Sequence, residues 1–394
     1  MIVPSGDELA RAATLLNASK KTTILAGAGV EGAHDEVIAL ADRLGAPIVH
    51  ALRGKEFIEY DNPFDVGMTG LLGFASGYRA MEAADTLLVL GSDFPYEQFY
   101  PEHATTIQVD IRGSQLGKRH PLDLGLVGDV RATADALLPR LAEKSDRDHL
   151  DDSTAHYRKT RAKLDDLATP TKAGRPIHPQ YLARLLDEQA ADDAVFTADV
   201  GSPTVWAARY LSMTENRRLI GSFTHGSMAN ALLHGIGAQV SHPDRQVIAL
   251  AGDGGLAMML GELLTLTQNK LPVKTIVVNN SSLNFVELEM KAAGFVNYGT
   301  ALDNPSFAAI AEAMGIFARR VENSEDLPDA VREVLAHDGP ALLDVVTERQ
   351  ELSMPPAIEA AQVKGFALYA IRTVMSGKGD ELLDLARANW RQFL

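Results

Sequence analysis

Short apolar runs alternate along this chain with segments whose apolar residues recur at helical spacing. The first run is Thr22-Thr23-Ile24-Leu25-Ala26, and Pro47-Ile48-Val49-His50, Thr86-Leu87-Leu88-Val89-Leu90 and Thr106-Ile107-Gln108-Val109-Asp110 follow. Asp35 to Leu44 and Ala75 to Ala83 carry helical spacing between them. After a polar stretch the alternation resumes, with strand-like runs at Ala194 to Ala198, Arg218 to Ser222, Gln246 to Leu250, Val273 to Val278, Phe317 to Val321 and Ala341 to Val346. A run that is apolar at consecutive positions has no face to offer water, so each predicts a strand covered on both sides. Strands of that kind separated by helices predict mostly parallel sheets. Glu143 to Lys172 turns charged and loses the strand pattern, which predicts a linker containing a helix. From Glu351 the alternation stops and the sequence looks helical. The expected fold class is therefore α/β: two doubly wound parallel-sheet domains, residues 1–154 and 155–350, and a C-terminal helical tail, 351–394.

Candidate chemistry collects at the ends of two of these runs. Gly252-Asp253-Gly254-Gly255 closes the strand before a predicted helix, Ala257 to Gln268, and Asn279-Asn280 closes the next strand. In a parallel sheet this sets a carboxylate and a carboxamide side by side at the C-terminal strand ends, where ligands of open α/β sheets bind. Oxygen donors suit Mg²⁺, which binds through a carboxylate plus phosphate oxygens. The glycines let backbone approach a diphosphate. Gly226-Ser227-Met228 precedes a helical run, Ala229 to Val240, whose first N–H groups are expected to face an anion. Read alone, that segment is a helix start, Met228 a core residue and His225 a loop histidine. The loop Ser281-Ser282-Leu283-Asn284-Phe285-Val286 follows a strand end, where site residues gather. In the first half, Gly27-Ala28-Gly29, Gly67-Met68-Thr69-Gly70, Gly91-Ser92-Asp93-Phe94 and Asp110 fall at strand ends. Each alone reads as a turn. Together they suggest a nucleotide cofactor across the sheet's switch point.

Composition narrows the partners. The 394 residues carry a formal net charge of −15 with no long basic stretch, which argues against nucleic acid. There is no cysteine, so thiolate catalysis, disulfides and zinc–thiolate sites are excluded. The opening Met1-Ile2-Val3-Pro4-Ser5 lacks the basic and apolar regions of a signal peptide, and no uncharged run is long enough to span a bilayer. A soluble cytoplasmic protein is the expectation from these features. The tail qualifies it. Phe366-Ala367-Leu368-Tyr369-Ala370-Ile371 is apolar nearly all round, and after Ser376-Gly377-Lys378-Gly379 a second helix capped by Asp380 places Leu382, Leu385, Ala386, Trp390 and Phe393 beside Arg387 and Arg391. Such a helix either docks on protein or lies on a membrane surface.

Several stretches resemble one family. They include His50-Ala51-Leu52-Arg53-Gly54-Lys55, Asp65-Val66-Gly67-Met68-Thr69-Gly70, Val200-Gly201-Ser202-Pro203-Thr204-Val205-Trp206, His225-Gly226-Ser227-Met228-Ala229-Asn230, Gly252-Asp253-Gly254-Gly255 and Lys364-Gly365-Phe366-Ala367-Leu368-Tyr369. With the Asn279-Asn280 pair they look like the pyruvate dehydrogenase (quinone) and pyruvate oxidase family, enzymes that use thiamine diphosphate (ThDP) and FAD. The resemblance runs through the whole chain, tail included.

The resemblance implies a middle FAD domain followed by a diphosphate-binding domain. The family's preceding pyrimidine-binding domain, which supplies a glutamate that activates the cofactor, has no counterpart here, and no residue of this sequence takes that role. Asp253 and Asn280 would hold Mg²⁺, with the Ser282 carbonyl as third ligand. Gly226, Ser227 and Met228 would contact ThDP, Met228 as the wedge that bends it. Gly254, Gly255 and the loop Ser281, Ser282, Leu283, Asn284, Phe285 and Val286 would line its diphosphate and ring. Phe285 resembles the aromatic residue between ThDP and flavin. Leu71, Leu72, Gly73, Phe74, Phe94, Pro95, Tyr96, Glu97, Gln98, Asp110 and Arg112 fall where the family binds FAD; Arg112 and Asn284 depart from its pattern. The implied activity is oxidative decarboxylation of pyruvate to acetate and CO₂, with electrons passed to a membrane quinone. The implied setting is a homo-oligomer, a tetramer, peripheral on the inner face of the cell membrane, its tail on the lipid surface. Two alternatives stand beside it: an oxygen-dependent pyruvate oxidase or acetolactate synthase, and a non-catalytic cofactor-binding fragment or half of a split enzyme. The basic, aromatic tail favours the quinone reading.

Overall fold

A computed structural model describes residues 2–172, 174–349, 351, 360–375 and 379–389. Two compact units divide the chain, the first running to Lys163 and also taking Met213–Glu215, the second beginning at Leu164. The first contains α1 (Gly6–Ala18), β1 (Thr22–Ala26), α2 (His34–Leu44), β2 (Ile48–His50), α3 (Lys55–Ile58), β3 (Asp65–Met68), α4 (Ala75–Glu82), β4 (Thr86–Leu90), β5 (Thr105–Asp110), β6 (Leu124–Val127) and α5 (Val130–Leu137). Helix α6 (Asp148–Leu167) crosses the division, and the expected limit at 154 lies in the same helix.

Six parallel strands form the first sheet in the order β3-β2-β1-β4-β5-β6. Alternate residues of its central strands enter different cores. Ile24, Ala26, Leu88 and Leu90 pack on one side, and Leu25, Leu87 and Val89 on the other. That is the period of two expected of a sheet buried on both faces. Helix α1 went unpredicted although its start is written in the sequence. Ser5 caps it, accepting from Glu8 N at 3.3 Å while Glu8 accepts from Ser5 N at 2.8 Å, a reciprocal pair that satisfies helix-end donors.

The second unit continues with α7 (Pro179–Gln189), β7 (Val195–Ala198), α8 (Ser202–Tyr210), β8 (Arg218–Gly221), α9 (Ala231–Ser241), β9 (Val247–Gly252), α10 (Asp253–Met258), α11 (Leu263–Asn269), β10 (Lys274–Asn279), α12 (Asn284–Ala292), α13 (Phe307–Ala313), β11 (Phe317–Val321), α14 (Leu327–Ala336) and β12 (Ala341–Val346). Its six parallel strands run β11-β12-β10-β9-β7-β8. Two helices differ from expectation. The single helix Ala257 to Gln268 is two, because a tight turn at Leu260–Glu262, around Gly261, breaks it. The helix expected from Ala229 begins at Ala231, because Ala229 holds a left-handed φ of 60°.

The tail gives α15 (Ala360–Met375) and α16 (Gly379–Asn389). Helix α16 starts at Gly379, which puts Asp380 in its first turn rather than at its cap. Ser376, Gly377, Lys378, Trp390, Arg391 and Phe393 lie outside the described residues. Helix α15 packs on α12: a Cβ at Gly365 would overlap the Ala292 carbonyl, and Tyr369 is buried. Among the described residues no helix is long and apolar enough to cross a membrane.

Candidate active site

At the C-terminal edge of the second sheet the chain leaves β7 for the edge strand β8, then returns past β7 to β9. Connections therefore diverge between β7 and β9, which opens a crevice in sheets of this kind. The loops after β7, β9 and β10 enclose a cleft of about 270 Å³ there.

Asp253 and Asn280 both line it. Strands β9 and β10 are in register at Gly252 and Val278, so the two side chains leave adjacent strand ends. Asp253 is 3% exposed. Its Oδ1 accepts from Gly254 N at 2.8 Å, and its Oδ2 from Ser281 N at 2.6 Å and Asn304 Nδ2 at 2.8 Å. Burial outweighs these donors and raises its pKa, so the carboxylate sits where a cation would relieve it. Asn280 Oδ1 accepts from Ser282 N at 3.0 Å. Asn279 instead turns into the sheet, giving Nδ2 to the buried Asp344 at 2.9 Å.

The cleft also gathers Gly226, Met228, Gly254, Gly255, Ser282, Leu283, Asn284, Phe285 and Val286. Ser227 and Ser281 brace it rather than line it. The Ser227 carbonyl accepts from Val200 N at 3.2 Å and Asn230 Nδ2 at 2.6 Å. Ser281 takes a φ of 54° and thereby aims its N–H at Asp253. Left-handed Ser281 and Ala229, on either side of one cleft, store local strain of the kind found at functional sites. His225 is exposed and does not line the cleft.

Sequence reasoning passed over three residues here. Asp199, after β7, is 3% exposed and joins three elements: Oδ1 accepts from Asn230 N at 2.7 Å and Ala231 N at 2.8 Å, and Oδ2 from Gly252 N at 3.0 Å. The leading N–H groups of α9, expected to face an anion, are thus already met by this carboxylate. Asn304 ties Asp253 to Asn279 Oδ1, at 2.8 and 2.9 Å. Glu289 lines the cleft from α12, one turn beyond Phe285.

The donors present fit Mg²⁺ and a diphosphate. A carboxylate, a carboxamide and free backbone are hard oxygen ligands. The Ser282 carbonyl accepts no hydrogen bond among the described residues, because Leu283 N and the Ser281 carbonyl make the bonds to Thr300 and Leu302 on either side of it. A Cβ at Gly226 would meet nothing closer than 4.0 Å, and one at Gly252 nothing closer than 3.7 Å, so the backbone there is open to a ligand. Among the described residues no group of three His, Cys, Asp or Glu is placed to hold a metal. With Asp253 as the carboxylate beside Asn280, phosphate oxygens would complete the coordination of Mg²⁺, so metal and diphosphate should raise each other's affinity.

In the first unit the glycines at the switch point serve close packing. Gly29 N donates to the Gly91 carbonyl at 2.9 Å, and a Cβ on Gly29 would come 2.6 Å from Gly91 Cα. Gly27-Ala28-Gly29 leads into a single 3₁₀ turn, Ala28–Val30, rather than the helix start that would seat a pyrophosphate. Phe74 and Phe94 are buried, and Phe94 packs edge-on against Tyr96 at 5.3 Å. Gly73 packs on the Met68 carbonyl. Leu71, Pro95, Glu97 and Gln98 are exposed at the same edge, with Leu72 and Tyr96 partly covered. Asp110 ends β5 buried and accepts from the backbone N–H of exposed Arg112 at 2.8 Å. After β3, Thr69 Oγ1 is buried without a hydrogen-bond partner among the described residues.

Comparison with known proteins agrees with this division of labour. Residues 9–137 match the central domain of thiamine pyrophosphate enzymes, and residues 199–345 match their C-terminal thiamine pyrophosphate-binding domain. YdaP of Bacillus subtilis, named for thiamine pyrophosphate content, is 35% identical over 390 residues, 99% of this chain and 67% of that protein. The acetolactate synthase large subunit of Porphyra purpurea is 30% identical over 91% of this chain and 63% of its own. Pyruvate oxidase of Lactiplantibacillus plantarum is 28% identical over 87% and 58%. The alignments therefore leave a third or more of each relative unmatched. With both domains matched in order and the cleft built from the second, the chain belongs to the thiamine pyrophosphate (thiamine diphosphate) enzyme family.

Proposed function

We propose that this chain is the FAD- and ThDP-binding portion of an enzyme that oxidatively decarboxylates pyruvate to acetate and passes the electrons to a membrane quinone. The observation that carries this reading is the pairing of buried Asp253 with Asn280 at neighbouring strand ends, open to a cleft that has Phe285 in its wall. ThDP, when bound, supplies the nucleophile that lets a 2-oxo acid lose carbon dioxide. The residues do the rest. Asp253, Asn280 and the Ser282 carbonyl would hold Mg²⁺, whose charge would neutralise the diphosphate. Met228, 37% exposed in the wall of the cleft, would support the ring. Leu283, Phe285 and Val286 exclude water from the reacting carbon. In the first unit, buried Asp110 at the end of β5 would take a ribose hydroxyl, and Thr69 Oγ1 after β3, without a hydrogen-bond partner among the described residues, is a further polar atom at the C-terminal edge of the sheet that supports FAD there. The flavin would accept two electrons.

The tail supports a lipid-surface partner. Leu368, Ile371, Val374 and Met375 of α15 are exposed, as is Leu383 of α16. An apolar face flanked by Lys364 and Arg372 is the composition of an interfacial helix. The test is anaerobic flavin absorbance. The purified chain is loaded with FAD, ThDP and Mg²⁺ and pyruvate is added. A flavin band that persists in the chain alone, then bleaches and is reoxidised by quinone in vesicles once a separately expressed pyrimidine-binding domain is added, is the expected result. A band that persists in that mixture while acetolactate accumulates would favour the synthase chemistry, and failure to retain FAD would remove the flavin from the reading.

A further inference from the structure

Beneath the cleft lies a buried ion pair that the chemistry above leaves unused. Glu287 and Lys291, one turn apart on α12, are 1% and 3% exposed, and Lys291 Nζ donates to Glu287 Oε1 at 2.8 Å. A charge pair at that spacing is ordinarily a solvated surface feature worth little. Buried, its desolvation must be offset by further hydrogen bonds to the carboxylate, and here those bonds are made. Asn297 Nδ2 donates to Oε1 at 3.0 Å, while Oε2 accepts from Ser282 Oγ at 2.6 Å and lies 3.4 Å from Arg349 Nη2. Burial pushes the Glu287 carboxyl up, but Lys291, Ser282 and Arg349 outweigh it and hold the group ionised. On its far side Lys291 Nζ sits 5.6 Å over the Tyr369 ring.

The contact with Ser282 matters most. Ser282 is held at both ends, its N–H by Asn280 Oδ1 at 3.0 Å and its hydroxyl by Glu287. Between these two anchors hangs the Ser282 carbonyl, which accepts no hydrogen bond among the described residues. We infer that Glu287, fixed by Lys291, is a positioning residue that aims the Ser282 carbonyl at the metal. The inference rests on the cleft being the Mg²⁺–diphosphate site. Mg²⁺ demands near-octahedral geometry at short range, whereas Ca²⁺ accepts a looser cage. A carbonyl held at two points is therefore a device for choosing the smaller ion.

Calorimetry of ThDP binding, titrated with Mg²⁺ and separately with Ca²⁺, tests this in the full chain. Two variants are compared with the parent. Ser282→Ala removes only the hydroxyl anchor and leaves the buried ion pair whole; Glu287→Gln keeps the shape and removes the charge. Outer partners of metal ligands change affinity by about 10- to 100-fold. Both variants are expected to raise half-saturating Mg²⁺ by that factor and half-saturating Ca²⁺ by less, so that selectivity falls. Mg²⁺ and Ca²⁺ requirements that rise in parallel, or that stay at the parent's values, overturn the inference: the pair is then only structural. A parent chain that binds no ThDP with either ion fails differently, since it overturns the cleft assignment itself.

Discussion

Gly255 shows how tightly the cleft is built, and replacing it with alanine gives a quantitative test. An added Cβ would overlap Asp199 Oδ2 and lie 2.9 Å from Asp199 Cγ and 3.2 Å from Ala229 N. Asp199 cannot retreat without releasing Gly252 N, which it holds at 3.0 Å, or the two N–H groups at the start of α9. Loss of one hydrogen bond to a charged acceptor costs about 1.5–3 kcal/mol, and forcing a methyl into packed space about 1–3 kcal/mol. Gly255→Ala should therefore cost roughly 3–6 kcal/mol. The cause is separable by a double-mutant cycle. Asp199→Ser shortens the side chain so that the obstructing oxygen is gone, while a polar group remains after β7. In that background Gly255→Ala should cost less than about 1 kcal/mol, a coupling of at least about 2 kcal/mol. The assay is urea unfolding followed by fluorescence of buried Trp206, with the chain's other tryptophan changed by Trp390→Phe. Equal costs in the two backgrounds would refute the steric argument and place the penalty in the backbone of α10.

Two further outcomes are expected. Asp253→Asn should weaken Mg²⁺-dependent ThDP binding roughly 100-fold, about 3 kcal/mol of lost charge-assisted contact; calorimetry that finds the parent affinity would remove Asp253 from the metal. In the first unit, burial, then Glu59, pushes buried Asp65 up to about 7, and burial, then Lys55, pushes buried His50 down to about 3, with the two 3.6 Å apart. A raised carboxyl gives stability that is present below about pH 4 and lost as pH climbs to 7; a depressed histidine gives stability that is present above about pH 6.5 and lost as pH falls. The two slopes oppose, each of order 4 kcal/mol. Relative to the parent, Asp65→Asn should make stability rise between pH 4 and 7, and His50→Gln should make it fall. Denaturation midpoints across that window check both signs, and variants with the parent's slope would refute the pairing.

The strands were legible where sequence and burial speak the same language. Thr22–Ala26 and Thr86–Leu90 are apolar at consecutive positions because helices cover both faces, and they form at the expected places. Asp65-Val66-Gly67-Met68 is also fully buried strand, but its aspartate and glycine are poor strand formers, and tertiary pairing with β2 decides the matter. The Ser5–Glu8 capping box was readable and passed over. Gly261 was a visible break in the helix before Gln268. In the site, Asp253 and Asn280 could be read because strand ends are where one-dimensional pattern and three-dimensional function coincide. Asn304 could not, since it reaches Asp253 from a loop far along the chain.

Glu287 marks the deeper limit of such reading. Sequence presents Glu287 and Lys291 as one more exposed pair on a helix, and only packing reveals them as buried. Helix α15 accounts for part of that burial, through Tyr369 over Lys291 and Gly365 against Ala292. A glycine at 365 admits the backbone contact, and the contact in turn lowers the dielectric around the pair. The same ion pair thus depends on two segments that the alternation of strands and helices treats as unrelated: the loop after β10 and the tail. Gly365→Ala should loosen α15 first, admit water to Lys291, and raise the Mg²⁺ requirement second-hand through Ser282. Finding that order reversed, with metal affinity lost while α15 stays packed, would show that the cleft does not depend on the tail for its dry underside.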